Sequence, residues 1–159
     1  MKIGLQTWGS NGDIRPMAAL ADGLNKAGHQ VTLAISSIDN KRYDEICERL
    51  NIRCLHVPEK IELNLPDFAR RTTKMNTLQW LKALLDEAFF PYEQIIYQTS
   101  QRLAEESDCL IGHHFLYPLK LAARMQQKPF ISITYCHAAI PVRSQPPFYF
   151  PNMGDILNR

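Results

Sequence analysis

The spacing of apolar and polar positions changes along the first part of the chain. Residues 2–7 alternate the two kinds of side chain, which is typical of a half-buried strand. Residues 13–28 repeat apolar side chains every three or four positions, which is typical of one helix face. Pro16 suits the first turn of this helix and Gly28 suits its C-terminal cap. The pattern therefore predicts a strand, a glycine turn and a helix.

The same succession of elements continues to residue 58. Residues 29–36 and 52–58 are predicted strands, and residues 39–51 are a predicted helix between them. The side chains expected to point inward from that helix are Tyr43, Ile46, Cys47 and Leu50. Parallel strands joined by right-handed helical crossovers form one doubly wound sheet. We therefore predict an α/β fold with a Rossmann-like parallel sheet.

The middle of the chain follows a different pattern. Residues 59–76 have no clear period and are predicted to form a long loop, and two helices then follow over 77–90 and 92–107, separated at Pro91. The first of these helices has a broad apolar stripe made of Leu78, Leu81, Leu85 and Phe89 and widened by Trp80 and Leu84. We favour a stripe that faces the core, because such helices are common. The alternative, a wall of an apolar binding site, remains open.

The last part of the chain supplies two more strands, over 108–113 and 129–136, with a helix over 115–127 between them. Both strands are almost uniformly apolar up to their last residues, as expected where a parallel sheet is covered on both faces. Four prolines within residues 137–154 prevent regular structure there. With 45% apolar residues, residues 1–159 are long enough for a single domain with its own core.

Composition and charge argue against several classes of protein. The 18 basic and 16 acidic side chains give a net charge of +2 without a dense cationic patch, so nucleic acid is not an expected partner. The four cysteines form no C-x-x-C pair, and no metal-ligand spacing occurs, so we expect reduced thiols and no metal site. The apolar stretch within MKIGLQTW is too short for a signal sequence and has no cleavage-like site, and no apolar run reaches the ~18 residues of a membrane span. We expect a soluble, cytoplasmic protein.

Polar residues gather where the predicted strands end. Ligands of open parallel sheets bind outside the carboxyl ends of the strands, so residues that follow strands are the first candidates. Those after the first, fourth and fifth strands are Ser10, Asn11, Gly12 and Asp13, then His113, His114 and Phe115, and finally His137. Three of the five histidines are thus expected on one rim. This convergence predicts a ligand site there.

Each of these residues also has a purely structural explanation. Asp13 is well placed as a helix N-cap, and capping aspartates outnumber catalytic ones. A histidine can simply end a strand, but His113 and His114 are adjacent and should point to opposite faces, which leaves at least one facing the cleft. The glycine loop lacks the lysine of a P-loop and the G-x-G-x-x-G spacing of a dinucleotide site. A nicotinamide-dependent oxidoreductase is therefore the least favoured function.

The segment GSNGDIRPMAALADGLNKAGHQVTLA, residues 9–34, resembles the opening of the N-terminal domain of family 28 and sterol-type glycosyltransferases. In that family a G-[ST]-x-G-D-[VI]-x-P loop precedes L-x-x-G-L-x-x-A-G-H and a strand, and the order of elements agrees over the whole chain. The resemblance implies a GT-B fold, in which two Rossmann-like domains face a cleft. The first binds the acceptor and the second a nucleotide sugar. Only the first is expected within residues 1–159, so this chain alone is expected to be inactive.

The resemblance also implies roles for the residues on the rim. Asp13 matches the aspartate proposed as the base that removes the proton of the acceptor hydroxyl, and His114 or His113 would orient Asp13 or the acceptor. Asp13 and His114 are thus the expected catalytic residues. The residues expected to bind substrate are Ser10, Asn11, Gly12, His113, Phe115 and His137.

The implied reaction is transfer of a hexose from a nucleotide-diphosphate sugar to a hydroxyl of an apolar or lipid-like acceptor. It inverts the anomeric carbon and needs no cofactor and no bound metal. The stripe around Trp80 and Leu84 and the loop over 59–75 motivate the acceptor class. Expected partners are the acceptor, the nucleotide sugar and the donor-binding domain, and a peripheral membrane contact is left open. The alternative function is a non-catalytic binding subunit that completes its cleft with a separate donor-binding chain.

Overall fold

A five-stranded parallel sheet forms the centre of the computed structural model, which describes residues 1–136, 140, 142, 144 and 146. The strands are β1 (Lys2–Gly9), β2 (Gln30–Ser37), β3 (Arg53–His56), β4 (Cys109–His113) and β5 (Phe130–Ile133). The helices are α1 (Asn11–Lys26), α2 (Asp44–Arg49), α3 (Leu65–Thr72), α4 (Thr77–Ala88), α5 (Glu93–Glu106) and α6 (Tyr117–Met125), and a 3-10 turn (Phe90–Tyr92) joins α4 to α5.

The strand order is β3-β2-β1-β4-β5, so β1 lies at the centre of the sheet. Leu5 of β1 pairs with Leu33 of β2 on one side and with Ile111 of β4 on the other. The order reverses between β1 and β4, because β2 and β3 are added on one side of β1 and β4 and β5 on the other side. This is the α/β, Rossmann-like, doubly wound fold that the sequence predicts, and its reversal point is where ligands of such sheets bind.

The core consists of two apolar clusters, as expected when helices pack on both faces of a sheet. One cluster includes Ile14 and Met17 of α1 with Cys47 of α2. The other includes Leu84 of α4, Ile96 of α5 and Leu119 of α6. Burial of these side chains provides the main driving force for the fold and fixes the strand ends in place.

Helix α1 begins earlier than the sequence indicates. Its N-cap is Ser10, whose backbone is extended (φ −98°, ψ −170°), so Asp13 is the third helical residue and the predicted role of N-cap is wrong. Pro16 lies inside the helix instead of opening it. A proline at this depth removes only one backbone hydrogen bond near the end of the helix, and the tertiary packing of Ile14 and Met17 offsets that loss.

The prediction of a loop over residues 59–76 is also wrong, because α3 lies within it. The Asn64 side chain accepts a hydrogen bond from the Asp67 amide at 3.1 Å and so caps the helix. Pro66 occupies the first turn, where it lacks only a donor that would be unpaired anyway. Phe68 and Thr72 are the buried residues of α3, so the apolar stripe is too narrow to give a clear period.

The two helices separated at Pro91 are confirmed, but the stripe on the first of them does not face the core throughout. Phe89 is buried and Leu84 is 7% exposed, whereas Leu78 is 50% exposed and Trp80 36% exposed. The apolar stripe of α4 is longer than the part of the helix that contacts the core. Its N-terminal half therefore lies outside the core.

The expectation that helices cover both faces of the last two strands is wrong for β5. The expectation holds for β4, where Leu110 and Ile111 are both buried. In β5, Ile131 is 52% exposed. This strand is one of the two edge strands of the sheet, so fewer helices pack against it.

The expectation of reduced thiols is wrong for one pair of cysteines. Cys47 at the inner side of α2 and Cys54 in β3 form a disulfide, with their Cα atoms 6.1 Å apart. The short connection from α2 to β3 turns these two side chains toward each other, which no C-x-x-C motif would reveal. Cys109 and Cys136 are free. Within the described residues, no helix is both long and apolar enough to cross a membrane.

Candidate active site

A cavity of about 520 Å³ opens at the carboxyl ends of β1 and β4, where the strand order reverses. Its polar end is formed by residues that follow these strands, including Ser10, Asp13 and His113. Its remaining wall is largely apolar and is contributed by α3 and α4. The volume lies in the range of small-molecule sites in proteins. The rim identified from the sequence is therefore part of a cavity.

Asp13 contributes both to the start of α1 and to the cavity. Its Oδ2 accepts a hydrogen bond from the Ser10 backbone amide at 2.9 Å, which satisfies a donor at the helix start. The Asp13 side chain is still 32% exposed and lines the cavity. Gly9 makes this approach possible, because it has φ +139° and a side chain there would collide with the Asp13 carboxylate.

His113 is the partner of Asp13. It is the last residue of β4, only 3% of its side chain is exposed, and its Nε2 lies 3.5 Å from Asp13 Oδ1. Its Nδ1 is buried and has no hydrogen-bond partner among the described residues. The adjacent strands β1 and β4 bring these two residues together although one hundred positions separate them in the sequence.

Because His113 and His114 are adjacent, the sequence predicts that their side chains point to opposite faces of the sheet. This prediction is wrong. Both line the cavity, and their ring centroids are 4.3 Å apart. The alternation of a strand ends at His113, and His114 lies in the following turn, where its amide donates to the Ile133 carbonyl oxygen at 2.9 Å. The structure thus places His113, and not His114, in contact with Asp13.

The charge state of the polar end follows from these contacts. Burial is the largest single effect on the Asp13 carboxyl group and raises its pKa. The hydrogen bonds from His113 and the Ser10 amide, together with electrostatic interactions with both histidines, lower the pKa by more than burial raises it. The net result is a pKa below the usual value. Burial and the neighbouring His113 lower the pKa of His114, although the Ile133 backbone and Asp13 act in the opposite direction. At neutral pH, Asp13 is therefore ionised and His114 is neutral.

The other residues predicted for the site are only partly brought together. Ser10 and Phe115 line the cavity. Asn11 instead accepts a hydrogen bond from the Tyr43 hydroxyl at 2.6 Å, and neither Asn11 nor Gly12 belongs to the described lining. His137 lies outside the described residues.

The apolar wall supports the reading of the α4 stripe that the sequence analysis left as the alternative. Trp80, Leu81 and Leu84 of α4 line the cavity together with Leu65 and Phe68 of α3. The rings of Phe68 and Trp80 meet edge to face, with centroids 6.4 Å apart. Part of the stripe therefore forms a wall of the cavity, and Leu84 belongs both to this wall and to the core.

Sequence reasoning missed Trp8, Tyr135 and Cys136, which also line the cavity. Trp8 is anchored, because its Nε1 donates to the Ala88 carbonyl oxygen at 3.1 Å. Burial raises the pKa of Tyr135 to about 12, so its phenol stays protonated. All three could have been found from their position in the sequence, because they lie at or just beyond the carboxyl ends of β1 and β5. Among the described residues, no group of three potential metal ligands is found.

The comparisons with known proteins give fold similarity without sequence similarity. No protein-family model and no curated protein matches the sequence. Three solved structures illustrate the likeness: TcCGT1 in complex with UDP, UGT73P12 from Glycyrrhiza uralensis complexed with glycyrrhetinic acid 3-O-monoglucuronide, and the C-terminal domain of the PF1911 hydrogenase from Pyrococcus furiosus.

The likeness extends over most of this chain in each case. TcCGT1 has a TM-score of 0.59 at 17% identity over 86% of this chain and 29% of its own. UGT73P12 has a TM-score of 0.58 at 16% identity over 87% of this chain and 29% of its own. The hydrogenase domain has a TM-score of 0.57 at 15% identity over 84% of this chain and 91% of its own.

These values establish the fold, and the assignment to family 28 or to sterol-type enzymes stays a prediction. The chain spans less than a third of the length of the two glycosyltransferases. The hydrogenase domain shows that a similar fold also occurs in another class of protein. The chain has an α/β, Rossmann-like fold that it shares with domains of GT-B glycosyltransferases.

Proposed function

We propose that this chain is the acceptor-binding part of an inverting glycosyltransferase. One observation carries the proposal: an ionised carboxylate, Asp13, lies on the wall of a largely apolar cavity and is paired with a buried histidine, His113, at the reversal point of the sheet. Such a site holds an apolar molecule and offers a proton acceptor to its hydroxyl group.

The chemistry assigned to the site is a direct displacement. The acceptor hydroxyl oxygen forms a bond to the anomeric carbon of a hexose while the bond from that carbon to the diphosphate oxygen breaks. The electron pair leaves with the nucleoside diphosphate, and the hydroxyl proton passes to Asp13. Attack opposite the leaving group inverts the anomeric carbon. The Ser10 amide and His113 hold the carboxylate in one orientation, which is the usual requirement of a general base.

The histidines have different positions in this scheme. His113 contacts Asp13, and His114 borders the cavity as a neutral imidazole that can hydrogen-bond the acceptor. We therefore transfer the role of orienting Asp13 to His113 and keep His114 as a residue that contacts substrate. Ser10 lies at the same polar end, near the position proposed for the sugar.

The nucleotide sugar requires a second binding surface. The chain spans 29% of TcCGT1, whose structure contains UDP, and we propose that a donor-binding domain or a separate chain completes the cleft. The co-substrate is then a nucleotide-diphosphate sugar, and the reaction needs no resident cofactor.

The test is transfer by the native protein together with any polypeptide that copurifies with it. UDP- and dTDP-hexoses are supplied with a mixture of alcohols and phenols, and mass spectrometry measures the gain of one hexosyl unit. Asp13→Asn should lower the rate at least about 100-fold, the usual contribution of a general base, with the circular dichroism spectrum unchanged. A rate within a few-fold of the wild type would remove Asp13 from the mechanism.

A non-catalytic binding module is the second candidate. It is favoured by the bond between Asp13 and the Ser10 amide, because that bond explains the carboxylate without any chemistry. In that case, no glycoside forms with any donor, while small molecules still enter the cavity. Loss of transfer in Asp13→Asn would exclude this candidate.

A further inference from the structure

We propose that the acceptor bound by this cavity is a planar aromatic alcohol, such as a phenol or naphthol, and not a flexible lipid alcohol. The inference rests on the proposed function, because it names the substrate class of the same site. It also replaces the lipid-like acceptor that the sequence suggests.

The first argument is the number of rings around the cavity. Seven of its 16 described lining residues carry a ring, and six of these are Trp8, Phe68, Trp80, His113, His114 and Phe115. They are distributed over both ends, from α3 and α4 to the loop after β4. Rings favour flat partners, because edge-to-face and offset contacts between aromatic rings stabilise beyond simple burial.

The second argument is the orientation of these rings. Trp8 and Phe115 meet edge to face with centroids 6.4 Å apart, and Phe68 and Trp80 do so at the same distance. Trp8 is fixed by its bond to the Ala88 carbonyl oxygen. The walls are therefore partly preorganised before a ligand enters, which favours a rigid flat ligand over a chain that must lose conformational freedom.

The third argument is volume. A cavity of about 150 Å³ accommodates a benzene molecule. The cavity of about 520 Å³ therefore has room for a skeleton of two or three rings with its substituents. A molecule of that size can place one hydroxyl group at Asp13 and its rings against Phe68 and Trp80.

The fourth argument is the acidity of the hydroxyl group. Both carboxylate oxygens of Asp13 have partners, Ser10 at Oδ2 and His113 at Oδ1, and its lowered pKa makes it a weak base. A phenol such as that of tyrosine titrates near pH 10, whereas water titrates near 15.7, about six units higher. A weak base accepts a proton far more readily from a phenolic hydroxyl than from an alcohol of water-like acidity.

The test uses three probes that share one carbon skeleton and the 159-residue chain without a donor. 2-Naphthol is aromatic and acidic, decahydro-2-naphthol is saturated, and 2-methoxynaphthalene is aromatic but has no hydroxyl proton. Isothermal titration calorimetry measures their dissociation constants. We expect 2-naphthol to bind about tenfold or more tightly than decahydro-2-naphthol, and more tightly than 2-methoxynaphthalene.

Substitutions identify the cavity as the place of binding. Phe68→Leu and Trp80→Leu should each weaken 2-naphthol several-fold and leave decahydro-2-naphthol nearly unchanged. Phe90→Leu is the matched control, because Phe90 is an exposed aromatic residue outside the cavity lining, and it should bind 2-naphthol as the wild type does. Circular dichroism of each variant confirms that it is folded.

Three results would overturn the inference: no binding of 2-naphthol, equal or tighter binding of decahydro-2-naphthol, or insensitivity to both cavity substitutions. These results are separate from failure of the proposed function. Hexosyl transfer to a saturated alcohol that is lost in Asp13→Asn would keep the glycosyltransferase and overturn the aromatic acceptor. Selective 2-naphthol binding without transfer under any condition would keep the aromatic ligand and overturn the glycosyltransferase.

Discussion

At the scale of single residues, the Asp13 carboxylate takes part in two different contacts. Its carboxylate satisfies the Ser10 amide at the start of α1 and faces the cavity beside His113. The sequence identified the residue, because the motif and the strand end both indicated position 13. It left His113 and His114 as alternative partners, because the choice between them depends on where the alternation of β4 ends and on the pairing of β4 with β1.

Replacement of Asp13 by alanine tests its structural function. Asp13→Ala should lower the free energy of unfolding at pH 7 by about 1 kcal/mol, the usual loss at a helix start. The pKa of Asp13 is lowered in the folded protein, so its stabilisation is present above the unfolded value of 3.8 and is lost as the pH falls through the folded value. Urea denaturation at pH 7 and in strong acid should show this difference shrinking. A constant difference would contradict the shift.

Replacement of His113 tests the pairing. His113→Phe keeps a buried ring and removes an Nδ1 that has no partner among the described residues, so stability should change by less than about 1 kcal/mol. The pKa of Asp13 should rise, because a hydrogen bond to its charged form is lost. Carbon-13 NMR of the carboxyl groups measures this titration. His29→Phe, before β2 at the opposite end of the strands, is the control and should leave Asp13 unchanged.

At the scale of elements, α3 and α4 form a wall of the cavity that side-chain contacts hold together. Arg71 donates two hydrogen bonds to Glu87, at 3.2 and 2.8 Å, and a third to Asp67 at 2.9 Å. These groups are partly exposed, so water screens the ion pair and its main effect is on local order. The wall is therefore expected to open more easily than the sheet.

Loss of the ion pair should make that local order measurable. Glu87→Gln is expected to speed amide hydrogen exchange in residues 65–72 several-fold while exchange in β1 stays slow. Glu62→Gln, which removes the exposed pair with Lys60, is the matched control. Mass spectrometry of exchanged peptides distinguishes the two variants. Equal exchange in α3 of all three proteins would mean that Glu87 does not hold the wall.

The elements differ in how well the sequence predicts them. Strands β4 and β5 were predicted because parallel strands covered by helices are nearly continuous apolar runs, whereas β1 was predicted from its alternating pattern. Helix α3 was missed because only Phe68 and Thr72 are buried, so its helical conformation depends on the Asn64 cap and on contacts with α4. The wall formed by α4 was left as the less favoured alternative, since an apolar stripe has the same pattern whether protein or ligand covers it.

The disulfide between α2 and β3 gives a further test at this scale. Cys47→Ala combined with Cys54→Ala should lower the free energy of unfolding by about 2 kcal/mol, because the cross-link limits the unfolded chain. Denaturation with and without reductant measures this effect on the wild type. Titration of the denatured, unreduced protein should find two thiols, those of Cys109 and Cys136. Four thiols would contradict the disulfide.

At the scale of the whole molecule, the cavity lies at the reversal point of one sheet, and a donor would need a second surface. We proposed separate surfaces for the acceptor and the donor because the chain spans only 29% of TcCGT1. The fold class was predictable from the sequence because it follows from the order of elements. The presence of a second surface does not follow from these residues, since a Rossmann-like fold also occurs in the hydrogenase domain.

Ligand-dependent stability tests the division. At a concentration 100-fold above its dissociation constant, 2-naphthol should stabilise the chain by about 2.7 kcal/mol and raise Tm by about 5 °C or more. UDP should leave the Tm of the chain unchanged, because its binding surface is proposed to lie elsewhere. A comparable rise of Tm with UDP alone would place the donor on this chain and contradict the division.

Trp8 and Trp80 are the two tryptophans of the sequence, and both line the cavity. Intrinsic indole emission therefore comes from residues of its lining. Trp8 is 3% exposed and Trp80 is 36% exposed, so filling the cavity displaces water mainly from Trp80. Non-fluorescent compounds can be screened against the unlabelled protein by the shift and intensity of that emission. Tryptophan fluorescence therefore reports whether the cavity is occupied, without an added label.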